Sequence, residues 1–441
     1  MSASKLQSWE CPPRAPQSNE PLVWRDTVRA RLLDARASAG TTLPCGGARG
    51  SADSSLSASG HVLPLHGLAR FIDADWEQGI VRAEAGMTLG ELIAITLPRG
   101  WMLPVIPGTQ LATLGGALAN DVHGRNHQLR GTFGRHVRRF SLLRSDRPAI
   151  ECAADDQPDL FSATIAGLGL TGVIEWVEIQ LMAVRSSHLN VTRMRFGNLD
   201  DFLALSRGRA STHEYGAAWV DCLARGNAPG RGIYVSGNHS TDGDLSLPAQ
   251  RTRGLPFAPP AIVPNHGLAM RTFNALYYWR QRRGIELARV DPASFLSPLD
   301  KLRNGTRHNG NRAYQQHQYV LPEASARDAL QAILQTIAAG GSGSYLAVLE
   351  RCGALASPGL LSFPMRGVSL TLNFAQDARH NTALFARLAA IVAEARGRQF
   401  PATHAQMNRN HFRSAYPAWQ ELERHRDPAL MSRFWKRITE S

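Results

Sequence analysis

The chain has 441 residues, enough for two or three domains and a large buried core. With 43% hydrophobic and 19% charged residues it has an ordinary globular composition, and no apolar run approaches the roughly 20 residues of a membrane span. The net charge of +13 fits either a solvated arginine-rich surface or attraction to phosphate, on a substrate or an anionic membrane face; no zinc-finger or RNA-binding signature accompanies it, so nucleic acid is set aside as a partner.

The N-terminal stretch, MSASKLQSWECPPRAPQ, has no apolar segment of secretory type, so a cytoplasmic protein is expected. Cys11, Cys45, Cys152, Cys222 and Cys352 are scattered and lack CxxC or metal-ligand spacing. They read as reduced thiols, and no metal is expected. Up to about residue 185, short β-rich runs alternate with glycine turns. GIVRAEAGMTLGELIAITLPRGW predicts a strand, a turn and a helix beginning near Thr88, with Thr88 and Glu91 as a capping box. GVIEWVEIQLMAV predicts one long strand. Strands broken by helices point to an α+β fold.

From about residue 186 the texture changes. HLNVTRMRF, GAAWVDCLA, GIYVSGNHS, NRAYQQHQYVL and GVSLTLNF predict an antiparallel sheet. ASARDALQAILQTIAA and NTALFARLAAIVAEARG predict amphipathic helices covering one face. Residues 247–284, with LPFAPPAIVPNHG at their centre, predict a long mobile loop. The tail is polar and aromatic and ends in a basic helix.

Three stretches of the first part are rich in glycine: CGGARGSADSS (Cys45–Ser55), PVIPGTQLATLGGALANDVHGRNH (Pro104–His127) and AGLGLTGVI (Ala166–Ile174). Glycine lets a backbone approach a ligand closely and aim several N–H groups at it, which suits a pyrophosphate. One such turn means little; three in one region are a sharper signal. None has the GxGxxG context of a Rossmann site or the GxxxxGK[ST] of a P-loop.

In order, these stretches resemble the FAD-binding oxidoreductases of the vanillyl-alcohol-oxidase (PCMH-type) superfamily, and within it the decaprenylphosphoryl-β-D-ribose 2′-oxidases, the flavoprotein half of a ribose-to-arabinose epimerase. The likeness runs from about residue 40 onward and includes LLSFPMRG, HFRSAYPAW and RDPALMSRF. It implies an α+β fold in which two small α/β subdomains cradle FAD (residues 1–185). A helix-covered antiparallel substrate domain follows (186–395), then a tail returning to the flavin (396–441). The FAD is expected against Cys45, Gly46, Gly47, Ala48, Arg49, Gly50, Ser51, Ala52, Asp53, Ser54 and Ser55, against Gly108, Thr113, Leu114, Gly115 and Gly116, and against Asn120, Asp121, Val122, His123 and Ile174. Phe400 is expected to pack near its ring, with Asp121, His123, Asn126 and His127 also close by. Arg49 stands where some members carry a flavin-linked histidine, so non-covalent FAD is implied.

A flavin that takes a hydride from an alcohol needs a base for the hydroxyl proton. The family's lysine falls at Thr403, its active-site tyrosine at Leu296 and its cysteine at Thr371. Gln316, Gln318, Trp219 and Asp221 match. His404, beside Thr403, is the expected replacement base, with His123 and His317 as alternatives; if residues 400–404 are extended, the tail must bend for His404 to reach the flavin. Three readings stand open: an oxidoreductase with a different sugar substrate, a ribose oxidase with another proton path, and a non-catalytic subunit supporting a reductase. The partners implied are a sugar, phosphate- or lipid-linked, a short-chain reductase, and peripheral contact with the inner membrane face.

Overall fold

The computed structural model describes residues 18–19, 22–50, 53–226, 229–247, 267–282, 284–300, 314–341, 343–344, 346–375, 378–404 and 407–440. Ser51 and Ala52, the N-terminal stretch with Cys11, and 248–266 of the expected loop lie outside them.

In the first part, Leu43–Cys45 and Ser18–Asn19 flank His61–Pro64 in a parallel three-stranded sheet. A five-stranded antiparallel sheet follows, in the order Phe71–Asp75, Ile80–Glu84, Val173–Gln180, Val137–Leu143 and Ile150–Ala153. The expected strand and helix around Thr88 are present. The Thr88 hydroxyl accepts from Glu91 N while the Glu91 carboxylate accepts from Thr88 N, satisfying two of the orphan donors at a helix start. The long strand predicted after Gly172 stops at Gln180, and Met182–Ala183 leaves to pair with Trp101–Met102.

The second part is an eight-stranded antiparallel sheet, ordered Ile285–Val290, Leu189–Phe196, Gly232–His239, Tyr215–Val220, Leu346–Cys352, Gly367–Ala375, Tyr314–Pro322 and Arg398–Gln399. Because successive strand residues face opposite ways, each central strand serves two environments. Ala347, Leu349, Leu370, Leu372, Phe374 and Tyr319 pack against the helices Leu199–Arg209, Ala326–Gly340 and Ala378–Glu394. The alternate residues face the first part of the chain. Residues 267–280 are not the loop expected of them. Gly267–Arg280 is a helix that buries Met270, Asn274 and Tyr278 at a spacing of four, a period obscured in the sequence by the proline-rich run before it.

Candidate active site

A cavity of about 830 Å³ lies between the two parts and has two unlike walls. One is backbone. Cys45, Gly46, Gly47, Ala48, Arg49, Gly50, Ser54 and Ser55 line it from the first glycine stretch, Gly108, Thr113, Gly115, Gly116, Asn120 and Val122 from the second, and Gly169, Gly172 and Ile174 from the third. The glycines do two jobs here. A Cβ on Gly169 would meet nothing within 4 Å, so that bare backbone opens onto free space. A Cβ on Gly46 would collide with the Thr113 hydroxyl, and on Gly47 it would lie 2.7 Å from the Leu111 carbonyl. On Gly115 it would lie 2.9 Å from the Ala85 Cβ. Thr113 is itself fixed as a helix N-cap by Gly116 N, at 3.2 Å. These glycines let the stretches pack onto one another, and the concavity results.

The other wall is side chain. On Tyr314–Pro322 the alternation turns Gln316 and Gln318 into the cavity and His317 and Tyr319 away. Register places Asn373 beside Gln316, Thr371 beside Gln318 and Val348 beside Thr371. Leu346, Val348 and Glu350 complete this wall, with Leu296, Pro298, Leu299, Phe400 and Thr403 at its margin. His123 and Arg125 reach it from the second glycine stretch. The polar groups converge on His123: its Nε2 lies 2.8 Å from the Gln318 amide nitrogen, and its Nδ1 lies 3.9 Å from Glu350. Arg125 Nε lies 3.6 Å from the same carboxylate, and its guanidinium covers the Phe295 ring. Burial pulls the His123 ring below the ordinary histidine range, and Glu350 opposes that shift.

Several expected positions do not reach the cavity. His404 is buried behind the sheet, where its Nε2 accepts from Gln318 N at 3.1 Å and its Nδ1 lies 3.1 Å from His317 Nδ1. Burial holds its ring down at about 3. The tail does turn, with Thr403 N donating to Phe400 O, but the turn keeps Thr403 in the cavity and sends His404 away from it. His317 lies among Phe374, Phe385 and His404 on the helix side. Asp121, in the left-handed region at φ 42°, turns its carboxylate to Gly134 N, Ser357 Oγ and Ser362 Oγ. Asn126 donates to Pro104 O and Glu214, and His127 accepts from Gly353 N. Leu114 is core, and Asp53 is clamped by Arg437 at 3.0 and 3.1 Å. Trp219 packs edge-on to Tyr277, and Asp221 pairs with Arg231. Of the four polar residues expected around the ring, only His123 faces the cavity.

Glu350, Arg125 and Asn373 were missed from the sequence. In LAVLERC the third same-face position after Leu346 and Val348 is a carboxylate, and a charge at an inward strand position was the available signal.

A backbone-walled concavity leading to a polar wall fits an extended dinucleotide whose reactive ring ends among side chains. Residues 25–152 match the model of the FAD binding domain family. The chain is 33% identical over 363 residues to an uncharacterised protein of Streptomyces coelicolor, covering 78% of this chain and 96% of that one. It is 30% identical over 393 residues to decaprenylphosphoryl-β-D-ribose oxidase of Mycolicibacterium smegmatis, covering 86% of this chain and 85% of the relative. Human Δ(24)-sterol reductase shares 27% identity over 119 residues, 27% of this chain and 23% of the reductase. The chain is therefore an FAD-dependent oxidoreductase and belongs to the PCMH-type FAD-binding family that includes the decaprenylphosphoryl-β-D-ribose oxidases.

Proposed function

We propose that the protein oxidises a secondary hydroxyl of a sugar, free or carried on a lipid or nucleotide, to a ketone. Bound FAD supplies the two-electron acceptor for the hydride. The glycine stretches hold the cofactor non-covalently. Arg49 cannot form a histidyl link, and burial pushes the Cys45 thiol up to about 11, so no thiolate is at hand to attack the ring. Gln316, Gln318, Asn373, Thr371 and Glu350 offer mixed donors and acceptors for neighbouring hydroxyls. His123 takes the hydroxyl proton: it is the histidine that lines the cavity among the described residues, and burial keeps it neutral and able to accept.

The observation that carries this reading is that the polar wall and the glycine wall enclose one cavity. Thr403, Leu296 and Thr371, the three departures from the ribose-oxidase pattern, all line it. Substitutions at these three cavity positions favour a different sugar over a retained ribose substrate. The outer edge of the same part carries exposed Leu268, Leu276, Trp279, Ile285 and Leu287 beside exposed Arg280 and Arg282, which supports a lipid-borne substrate taken from an anionic membrane surface. The test is anaerobic mixing of the yellow protein with sugars, nucleotide sugars and polyprenyl-phosphosugars. Bleaching by one of them is expected, and a panel that leaves the flavin oxidised overturns the reading.

A further inference from the structure

We propose that Glu350 is the positioning carboxylate of His123: it holds the imidazole as the Nδ1–H tautomer, so that Nε2 is presented to the cavity as the proton acceptor. The proposal rests on the reading of His123 given above and deepens it.

The tautomer follows from the partners. The Gln318 amide nitrogen, 2.8 Å from His123 Nε2, can only donate, so Nε2 carries the lone pair and the neutral ring bears its hydrogen on Nδ1. That nitrogen is buried and has no partner of ordinary hydrogen-bond geometry, the neighbouring Gly124 backbone being in weaker contact with the ring. Glu350 Oε2 faces it at 3.9 Å, about 1 Å beyond a hydrogen bond, a gap that a small rotation of Glu350 or one bridging oxygen closes. A buried donor left unsatisfied is costly, so the carboxylate and the ring favour meeting.

The other charged or titratable groups facing the ring do not compete. Asp121 already accepts from Gly134 N, Ser357 and Ser362. His127 stands edge-on at 5.9 Å, and its Nδ1 accepts from Gly353 N. Arg125 has no acceptor atom, and its Nε lies 3.6 Å from Glu350 rather than against the ring. Glu350 is also the acidic side chain of the cavity lining among the described residues, with its own side chain 16% exposed.

The consequence is a defined proton path. As the carbonyl forms, the substrate O–H bond breaks. Its electron pair stays with oxygen and its proton goes to the Nε2 lone pair, displacing the Gln318 amide. The imidazolium so formed has both hydrogens matched, one to substrate oxygen and one to Glu350, as in other carboxylate–imidazole pairs.

The first test uses the FAD-loaded protein with ¹⁵N-labelled histidine, the His123 signals being assigned by their disappearance in His123→Gln. Long-range ¹H–¹⁵N correlation should show hydrogen on Nδ1 in the native protein. A wild-type ring carrying its hydrogen on Nε2 overturns the proposal, and needs no variant that might fail to fold. The second test is Glu350→Gln. Loss of the anion should move the acid limb of flavin reduction to lower pH and slow reduction about 10–100-fold, with Glu350→Asp recovering part of both. An acid limb that stays in place in Glu350→Gln also overturns the proposal. If no alcohol reduces the flavin, the reading of the reaction fails, while the tautomer compared between the native protein and Glu350→Gln still decides the role of Glu350: a tautomer population unchanged in Glu350→Gln overturns it.

Discussion

The two walls of the cavity are made by different means. The glycine wall is backbone, and its shape depends on protein touching protein: Gly46 against Thr113, Gly47 against Leu111, Gly115 against Ala85. The sheet wall consists of side chains standing on alternate positions of a ladder whose register is fixed by the opposite, helix-covered face. Replacing one of those side chains leaves the scaffold intact, whereas adding one carbon to the glycine wall disturbs the scaffold itself. The difference predicts that specificity can change through cavity side chains such as Thr403, Leu296 and Thr371 without disturbing the glycine wall.

The contrast breaks most visibly in the glycine wall. Gly46→Val puts branched carbon where the Thr113 hydroxyl sits, and is expected to abolish flavin retention, read as loss of the 450 nm band after gel filtration. Overpacking of this kind costs about 1–3 kcal/mol, so a lower melting temperature should accompany it. A fully yellow Gly46→Val protein would refute the packing role. On the sheet side, His123→Ala is expected to keep FAD and slow its reduction by the sugar roughly 10²–10⁴-fold. In the native protein the acid limb of that rate should lie below the ordinary histidine value of about 6.5, because burial lowers the ring's pKa.

His404 sharpens the comparison from behind the sheet. His404→Ala should leave flavin reduction by the sugar within a few-fold of native while lowering stability, since the ring serves the Gln318 backbone rather than the cavity. The pH dependence has a definite sign. His404 and His127 are both held down at about 3 in the fold and titrate near 6.5 when unfolded. Between those values the unfolded chain binds more protons, so their contribution is complete above about 6.5 and is lost as pH falls toward 3. Each adds a slope of up to about 1.4 kcal/mol per pH unit in that window. Urea midpoints from pH 7 to 4 should drop less steeply in His404→Ala than in the native protein. The smallest effect expected is at the outer edge. Weak co-sedimentation with anionic liposomes should fade as salt rises and fall in Trp279→Ser; binding indifferent to salt would contradict its electrostatic part.

The fold was legible where periodicity is strong. GVSLTLNF alternates, and its place in the antiparallel sheet follows from that; QQHQYVL has no such period, and Gln316 and Gln318 were legible only through the family resemblance. The polar run after Gly116 was not legible residue by residue. Asp121 adopts a left-handed conformation and Asn126 precedes a single helical turn, so no period says which side chain faces the ligand. His404 was misplaced because proximity in sequence to Thr403 was given more weight than the turn at Phe400–Thr403, which directs the two side chains apart. Glu350 was missed because LAVLERC looks like ordinary core strand until the register with Gly367–Ala375 shows that its odd positions face a cavity.

The tail described above as clamping Asp53 also fills the cofactor half. Phe412, Tyr416, Phe434, Trp435 and Ile438 form one core with Leu43, Cys45 and Val62. Thr42 bridges Leu430, Ser57 bridges Ser432, and Ser145 donates to Asp427 from both its backbone N–H and its hydroxyl. The first glycine stretch is therefore backed by residues almost 400 positions later in the chain, as the Asp53–Arg437 pair shows. That stretch cannot reach its native packing until residues 407–439 have docked behind it, which ties the two ends of the described fold into one cooperative unit.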